Sequence, residues 1–168
     1  MNSFCKPIAF QYEDIKCVVE IVKPGDKLVT VDIKDGFYHM PVAECSQKYL
    51  GFKWRNITYV WTVLQFGLSV SPYFFCKTIR QVIKSLHGAG FRLSVYVDDF
   101  ILCANEHSID FVRETSLTLL CDLGLHVNWD KSNRVPSTEQ QHMGYLIATN
   151  NTDGFVYIRG AIRSYQKS

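Results

Sequence analysis

The spacing of hydrophobic residues predicts that helices and strands alternate along the chain. Apolar side chains between Phe10 and Val22 recur at helical spacing and stop at Pro24-Gly25, which predicts a helix followed by a turn. The continuous β-branched run from Lys27 to Ile33 is typical of a central strand that is buried on both faces. This strand carries Asp32 near its end.

A hairpin and a long helix are predicted next. Segments 50–54 and 58–63 are strand-like and flank the pair Arg55-Asn56, which predicts a hairpin. Ser71-Pro72 is typical of a helix start, because Ser caps free N–H groups and Pro fits the first helical position. One apolar stripe follows it, and Gly88 is expected to end the helix.

A second hairpin places two acids at its tip. The β-rich runs from Leu93 to Val97 and from Phe100 to Cys103 are separated by Asp98-Asp99, which predicts a tight turn between two strands. Helical spacing then extends from Ser108 to Leu123, and Gly124 stands where a helix C-cap is expected.

The last third of the chain contains short strands and turns. Strand-like runs from Gly144 to Ala148 and from Phe155 to Ile158 are separated by turn-forming residues, and the tail beyond Gly160 is polar and expected to be loose. The predicted order is strand, helix, two-stranded hairpin, helix and strand. This order predicts an α+β fold of the ferredoxin-like, split βαβ type.

Composition is compatible with one packed domain. The chain has 168 residues, of which 47% are hydrophobic and 14% aromatic, so disorder is not expected. Eighteen basic and sixteen acidic residues give a formal charge of +2, so the overall charge does not indicate a nucleic-acid partner, and a locally basic groove remains compatible with it. Charge alone therefore identifies no partner.

The six cysteines form no CxxC pair and have no histidine at zinc-site spacing. We therefore expect buried, reduced thiols. The N-terminus has no basic segment followed by a long apolar run, and no stretch of about 18 apolar residues occurs. These features predict a soluble, intracellular protein without disulfide bonds.

The candidate chemistry lies in three acids. In a split βαβ sheet the first strand lies beside the central hairpin, so Asp32 is expected to meet the pair Asp98-Asp99. Carboxylates gathered in this way repel one another unless hard cations such as Mg²⁺ neutralise them. Two ions about 3.5–4 Å apart can stabilise an in-line phosphoryl displacement. Since strand side chains alternate between faces, we assign Asp98 as a ligand and Asp99 as a supporting acid.

Five segments resemble the successive palm motifs of reverse transcriptases and stand in the same order. They are VDIKDGFYHMPV at 31–42, VLQFGLSVSPYFF at 63–75, YVDD at 96–99, GLHVNWDKS at 124–132 and HMGYLI at 142–147. YVDD alone is weakly specific, but five ordered segments with compatible spacing are a strong signal. The style of the motifs is most similar to retrotransposons of the tyrosine-recombinase (DIRS) group.

This resemblance implies an RNA-directed DNA polymerase that transfers nucleotides to a primer with two Mg²⁺ ions, with Mn²⁺ as an alternative. The implied fold is the palm of a right-hand polymerase with partial fingers and a C-terminal β-turn region. Asp32, Asp98 and Asp99 match the catalytic acids. The carboxylates of Asp32 and Asp98 and the carbonyl of Ile33 match the metal ligands.

The resemblance also implies positions for the substrates. Phe37 matches the steric gate, where a bulky ring beside the sugar excludes a 2′-hydroxyl and selects deoxynucleoside triphosphates. The nucleotide-binding positions are Asp35, Gly36, Phe37, Phe66, Gly67 and Lys131. The positions for the primer and the RNA or DNA template are Tyr96, Val97, Met143, Gly144 and Tyr145.

Some of these residues also have ordinary structural interpretations. Phe37 and Phe66 have a less favoured interpretation as core aromatics, whereas Lys131 is equally well explained as a solvated surface lysine. Asp98-Asp99 would serve as turn-forming residues.

Two features depart from the family pattern. Gln65 stands where relatives usually have Pro, which puts the fit of the nucleotide at this loop in doubt. Only 31 residues precede Asp32, whereas the basic finger residues of relatives lie well before the first motif, so those residues are expected to be missing. A thumb and an RNase H region are also expected to be missing. The chain is then interpreted as a fragment of a retroelement polyprotein or a decayed copy. We divide it into an N-terminal helix and linker (1–26), a palm with partial fingers (27–148) and a C-terminal strand with a loose tail (149–168).

Two other functions remain open from the sequence. A non-catalytic nucleic-acid-binding module would show exposed aromatic rings on the two central strands. A catalytically inactive retroelement remnant would lack polymerase activity whether or not it folded.

Overall fold

A computed structural model of the chain describes residues 2, 5, 8–150 and 154–160. The helices are α1 (Ile15–Ile21), α2 (Glu44–Gln47), α3 (Ser71–Gly88) and α4 (Ile109–Asp122), with a 3₁₀ turn at Gly36–His39. The strands are β1 (Lys27–Asp32), β2 (Gly51–Trp54), β3 (Ile57–Val60), β4 (Arg92–Tyr96), β5 (Asp99–Ala104), β6 (Glu139–His142), β7 (Tyr145–Ala148) and β8 (Tyr157–Gly160).

The central sheet has the predicted arrangement. Its order is β1-β5-β4, and β5 pairs antiparallel with both neighbours. The register places Asp32 opposite Asp99, and Tyr96 opposite the same Asp99. The α+β, split βαβ fold is therefore confirmed, with the first strand beside the acid-bearing hairpin.

The closing strand of this motif is reduced to isolated pairings along the free edge of β1. Antiparallel bridges join Ile33 to Val127 and Leu28 to Ser137. The strand expected at 144–148 lies instead in a separate sheet of order β6-β7-β8. Pairing with β6 determines this outcome, and β6 was not predicted because its sequence, EQQH, is entirely polar.

The central sheet has an apolar layer on each face, and the faces alternate along each strand as a pleated strand requires. On one face, buried side chains of β1 and β5 such as Val31 and Phe100 pack with Phe75 of α3 and Leu120 of α4. On the other face, a smaller cluster joins residues of α1, the residue that follows it, and residues of β1, β5 and β7, namely Val18, Val22, Leu28, Ile101, Cys103 and Ile147. The sheet is therefore buried on both faces, as the continuous apolar strands predicted.

The β2–β3 hairpin is confirmed and has a turn in the left-handed region. Arg55 and Asn56 both have positive φ, at 45° and 65°, which suits the twist of a two-residue hairpin loop. Every residue of both strands is exposed. The hairpin therefore adds no buried side chains to the core.

Two helix starts differ from prediction. Helix α1 begins after Asp14, whose side chain accepts a hydrogen bond from the Lys16 amide, so the helix is shorter than the apolar pattern indicated. Ser71 is already helical and fully buried, and its hydroxyl donates to the Gln65 carbonyl instead of capping the helix.

The expectation that the thiols are buried is wrong for Cys45 in α2 and Cys121 near the end of α4, which are both exposed. Cys103 is buried, and this burial raises the pKa of its thiol to about 12. The predicted turn at 151–153 and the tail beyond Gly160 lie outside the described residues. Among the described helices, none combines the length and the apolar character needed to cross a membrane.

Candidate active site

Asp32 stands at the end of β1, where the pairing between strands changes. Its backbone carbonyl accepts a hydrogen bond from the Asn128 amide (2.8 Å), and its amide donates to the Ser132 hydroxyl (3.0 Å). The Asn128 side chain also hydrogen-bonds to the Asp32 carboxylate. The segment after α4 therefore fixes the position of this acid.

Asp98 lies in the two-residue turn between β4 and β5. Val97, the first turn residue, has a φ of 58°, which is costly for a β-branched residue and is characteristic of a tightly constrained hairpin. The Ile33 amide donates to the Asp98 carbonyl at 2.9 Å. This bond holds the turn against the end of β1 and places Asp98 beside Asp32.

The two acids share one electrostatic environment. Burial is the main cause that raises the pKa of Asp98, and the charges of Asp32 and Asp99 raise it further. Burial also raises the pKa of Asp32, with a smaller contribution from Asp99, whereas the Asn128 hydrogen bond lowers it. The Lys131 ammonium lowers the pKa of both Asp32 and Asp98. The predicted acids and the predicted lysine are thus close enough to interact.

Asp99 has a different neighbour. Its Oδ2 atom lies 3.2 Å from Nδ1 of His142, a residue that is 1% exposed at the end of β6. Because Asp99 is opposite Asp32 in the register, both side chains belong to the sheet face that is not covered by α3 and α4.

An aromatic cluster surrounds Phe37, which follows Asp32 by five positions in the chain. The Phe37 ring contacts Phe66 (centroids 4.9 Å apart) and Phe75 (5.6 Å), and Tyr38 contacts Phe66 (5.2 Å). Phe66 remains 54% exposed and Phe37 is partly buried. Two residues expected at the nucleotide are therefore adjacent, although 29 positions separate them in the sequence (66 − 37).

The backbone around Phe37 and Phe66 is held in special conformations. Asp35 and Gly67 have positive φ values of 53° and 83°. A Cβ atom on Gly36 would lie 2.7 Å from the Phe75 ring, so only glycine fits there without movement. The 3₁₀ turn at Gly36–His39 can therefore rest directly on α3.

The residues expected at the primer lie on two hairpins. Tyr96 is 39% exposed and its ring contacts Tyr12 at 5.5 Å. Met143 and Gly144 form the β6–β7 turn with φ values of 53° and 77°, and the following Tyr145 is 36% exposed. The structure links the two hairpins through the contact of Asp99 with His142.

The sequence analysis did not single out Asn128, Ser132 and His142. All three lie inside segments that carried the family resemblance, NWDKS and HMGYLI. Their place in these motifs was the only sequence feature that could have indicated a role at the site. Their contacts depend on tertiary neighbours, so spacing alone did not reveal them.

The carboxylates of Asp32 and Asp98 fit a hard cation that takes only some of its ligands from the protein. Within the described ranges, no three His, Cys, Asp or Glu side chains form a ready-made metal cluster. Two neighbouring carboxylates with raised pKa values are nevertheless the kind of site that a divalent cation would stabilise. Mg²⁺ commonly binds through one or two carboxylates and completes its shell with water and substrate phosphates. Asp32 and Asp98 therefore fit such an ion.

The fold and these acids define a polymerase-like palm, and comparison with known proteins identifies the family. The family model described as reverse transcriptase (RNA-dependent DNA polymerase) matches residues 3–147. The chain therefore belongs to the reverse transcriptase family.

Curated viral proteins are similar over most of the chain. Protein P of duck hepatitis B virus (strain China) is 28% identical over 130 residues, which cover 76% of this chain and 16% of that protein. The Gag-Pol polyprotein of avian leukosis virus subgroup A (isolate RSA) is 26% identical over 142 residues, which cover 79% of this chain and 9% of the polyprotein. The chain thus spans a small part of the length of these relatives.

Solved structures have the same fold. A foamy viral protease-reverse transcriptase in complex with double-stranded DNA superposes with a TM-score of 0.78 at 25% identity, covering 88% of this chain and 25% of that one. A foamy viral protease-reverse transcriptase in complex with an RNA/DNA hybrid gives a TM-score of 0.77 at 24% identity, covering 88% and 20%.

Proposed function

We propose that this chain is the catalytic palm of an RNA-directed DNA polymerase that adds deoxynucleotides to a primer. The observation that carries the proposal is the meeting of Asp32 and Asp98, where the hydrogen bond from Ile33 to Asp98 joins the two strand ends. Membership of the reverse transcriptase family supports the same chemistry.

Asp32 and Asp98 would hold Mg²⁺, or Mn²⁺ as an alternative, with the Ile33 carbonyl as a further ligand. The bound cations would stabilise the charge that develops on the attacking and leaving oxygens. Asn128 and Ser132 keep Asp32 in place through its carboxylate and its backbone. Asp99 supports the pair from the adjacent position, and Lys131 supplies positive charge for the triphosphate.

The aromatic cluster supports a nucleotide site next to these acids. Phe37 would act as the steric gate against a 2′-hydroxyl, with Phe66, Gly67, Asp35 and Gly36 forming the surrounding surface. The contact between Phe37 and Phe66 favours this assignment, because it brings two separate motifs to one place.

The proposed partners are a primer and an RNA or DNA template. Tyr96, Val97 and the turn at Met143, Gly144 and Tyr145 would contact the primer strand. The foamy viral relatives were solved with double-stranded DNA and with an RNA/DNA hybrid, which supports this partner class. The remaining fingers, the thumb and the RNase H region would belong to a longer retroelement polyprotein, of the tyrosine-recombinase (DIRS) group by the style of its motifs.

A non-catalytic nucleic-acid-binding module is less well supported. That function would place exposed aromatic rings on the two central strands. In β1 and β5, however, every residue is buried or only partly exposed. The large exposed aromatics include Phe52, Trp54 and Tyr59, which lie on the β2–β3 hairpin.

Primer extension on an RNA template tests the function. We expect purified protein with Mg²⁺ and deoxynucleoside triphosphates to extend the primer, and Asp98→Asn to lower the rate by at least about a thousandfold, since it removes one metal ligand. Asp130→Asn, which alters an exposed acid, serves as the matched control. Extension that persists in Asp98→Asn would rule out the mechanism, and a cooperatively folded but inactive wild type would favour a retroelement remnant.

A further inference from the structure

His142 is a buried polar residue beside the catalytic hairpin. It is among the largest fully buried side chains, and its Nδ1 atom lies 3.2 Å from Oδ2 of Asp99. Neither ring nitrogen has a well-aligned hydrogen-bond partner in the described part of the chain. The Asp99 carboxylate that lies beside this ring is 33% exposed.

A buried imidazole without an aligned partner is unfavourable. Burial removes the ring from water, and an unmade hydrogen bond leaves that desolvation uncompensated. An apolar residue of similar size at this buried position would not carry this cost. A small rotation of the ring would instead align Nδ1–H with the carboxylate, giving a hydrogen bond to a charged acceptor, which is stronger than a bond between neutral groups.

The contact joins two turns that are distant in sequence. His142 is the last residue of β6 and pairs with Tyr145 across the turn formed by Met143 and Gly144. Asp99 pairs with Tyr96 across the turn formed by Val97 and Asp98. A bond from His142 to Asp99 would therefore fix the Met143-Gly144 turn relative to the Val97-Asp98 turn.

We propose that His142 is a positioning residue whose Nδ1–H donates to Asp99, so that one hydrogen bond sets the distance between the Met143-Gly144 turn and the Asp98 turn. The catalytic consequence of this hydrogen bond rests on the proposed function. The contact between His142 and Asp99 is independent of that function. With Nδ1 carrying the proton that Asp99 accepts, the ring would be held in one orientation.

Nitrogen-15 NMR of the imidazole rings tests the contact without any activity. We expect His142 of the wild-type protein to be in the Nδ1–H form. In Asp99→Ala, which removes the acceptor, we expect it to revert toward the Nε2–H form. The amide resonances of Met143 and Gly144 should shift in the same variant, and the ring of the exposed His107 should not change. An Nε2–H ring in the wild type, or one that does not respond to Asp99→Ala, would overturn the proposal.

Steady-state kinetics test the catalytic consequence. We expect His142→Leu, which is apolar and of similar size, to keep or raise the Tm and yet to lower kcat about tenfold without changing KM for the nucleotide. His142→Asn retains a donor near Nδ1 and should recover most of kcat. A wild-type kcat in His142→Leu would overturn the positioning role. A tautomer response in a protein that extends no primer would support the contact and reject the proposed function.

Discussion

At the scale of single residues, the candidate site contains residues whose backbone conformation or buried carboxyl group is energetically unfavourable. Val97, Met143 and Asp35 all have positive φ, which is uncommon for residues other than glycine. Asp32 and Asp98 are partly buried with raised pKa values. Such costs persist where the surrounding structure enforces them, and their concentration here agrees with a functional site.

The raised pKa of Asp98 predicts a dependence of stability on pH. Below the ordinary Asp pKa of about 3.9 the carboxyl is neutral in the folded and unfolded states. As pH rises through the raised pKa, the buried charge beside Asp32 and Asp99 makes the folded state less stable. Asp98→Asn should therefore raise the Tm at pH 7 in metal-free buffer by on the order of a degree or two, and have little effect near pH 3. A lower Tm at pH 7 would contradict this sign.

Gly36→Ala tests the close packing below the nucleotide site. The new Cβ would lie 2.7 Å from the ring of Phe75, which is fully buried, so we expect a loss of about 1–3 kcal/mol. Urea unfolding monitored by circular dichroism would measure it. Gly88→Ala, where nothing lies within 4 Å, should be neutral or stabilising. Equal stability of the two variants would show that Phe75 moves aside easily.

At the scale of elements, one ion pair connects the turn after α1 to the edge strand β4. Asp26 accepts hydrogen bonds from Arg92 through Nη1 (2.6 Å) and Nη2 (2.8 Å) and from the Lys23 amide (2.7 Å). Arg92 also donates to the Ile21 carbonyl at 2.7 Å. This pair therefore holds α1 over the sheet face that it helps to bury.

Removing the buried acid should weaken that connection. The Asp26 side chain is 5% exposed, so Asp26→Ala leaves Arg92 without its carboxylate partner and should cost about 3 kcal/mol in chemical denaturation. Glu106→Ala breaks the contact with Lys27 at 3.6 Å, but Glu106 is 75% exposed, and the loss should stay below about 1 kcal/mol. Similar losses in both variants would argue against burial as the cause.

At the scale of the whole molecule, cation binding should couple to folding, because the acids meet only in the folded chain. Mg²⁺ or Mn²⁺ at millimolar concentration should raise the Tm by a few degrees through preferential binding to the folded state. Asp32→Ala should remove the response, whereas NaCl at equal ionic strength should not reproduce it. A wild-type Tm that is indifferent to divalent cations would count against the proposed ligand pair.

The sequence by itself determined the main elements and the positions of the acids. The β-branched run of β1, the apolar stripe of α3 and the turn between β4 and β5 are local patterns, so backbone geometry and hydrophobic spacing were sufficient to predict them. Ordered motifs then indicated the family, which the match over residues 3–147 confirmed.

Only the tertiary structure decided which side chains meet. The polar strand β6 exists because it pairs with β7, and its burial of Gln140 and His142 could not be inferred from its composition. The support of Asp32 by Asn128, and the contact of Asp99 with His142, join residues far apart in the chain. Spacing specifies the face of an element, but the neighbour that this face meets depends on how the elements pack together.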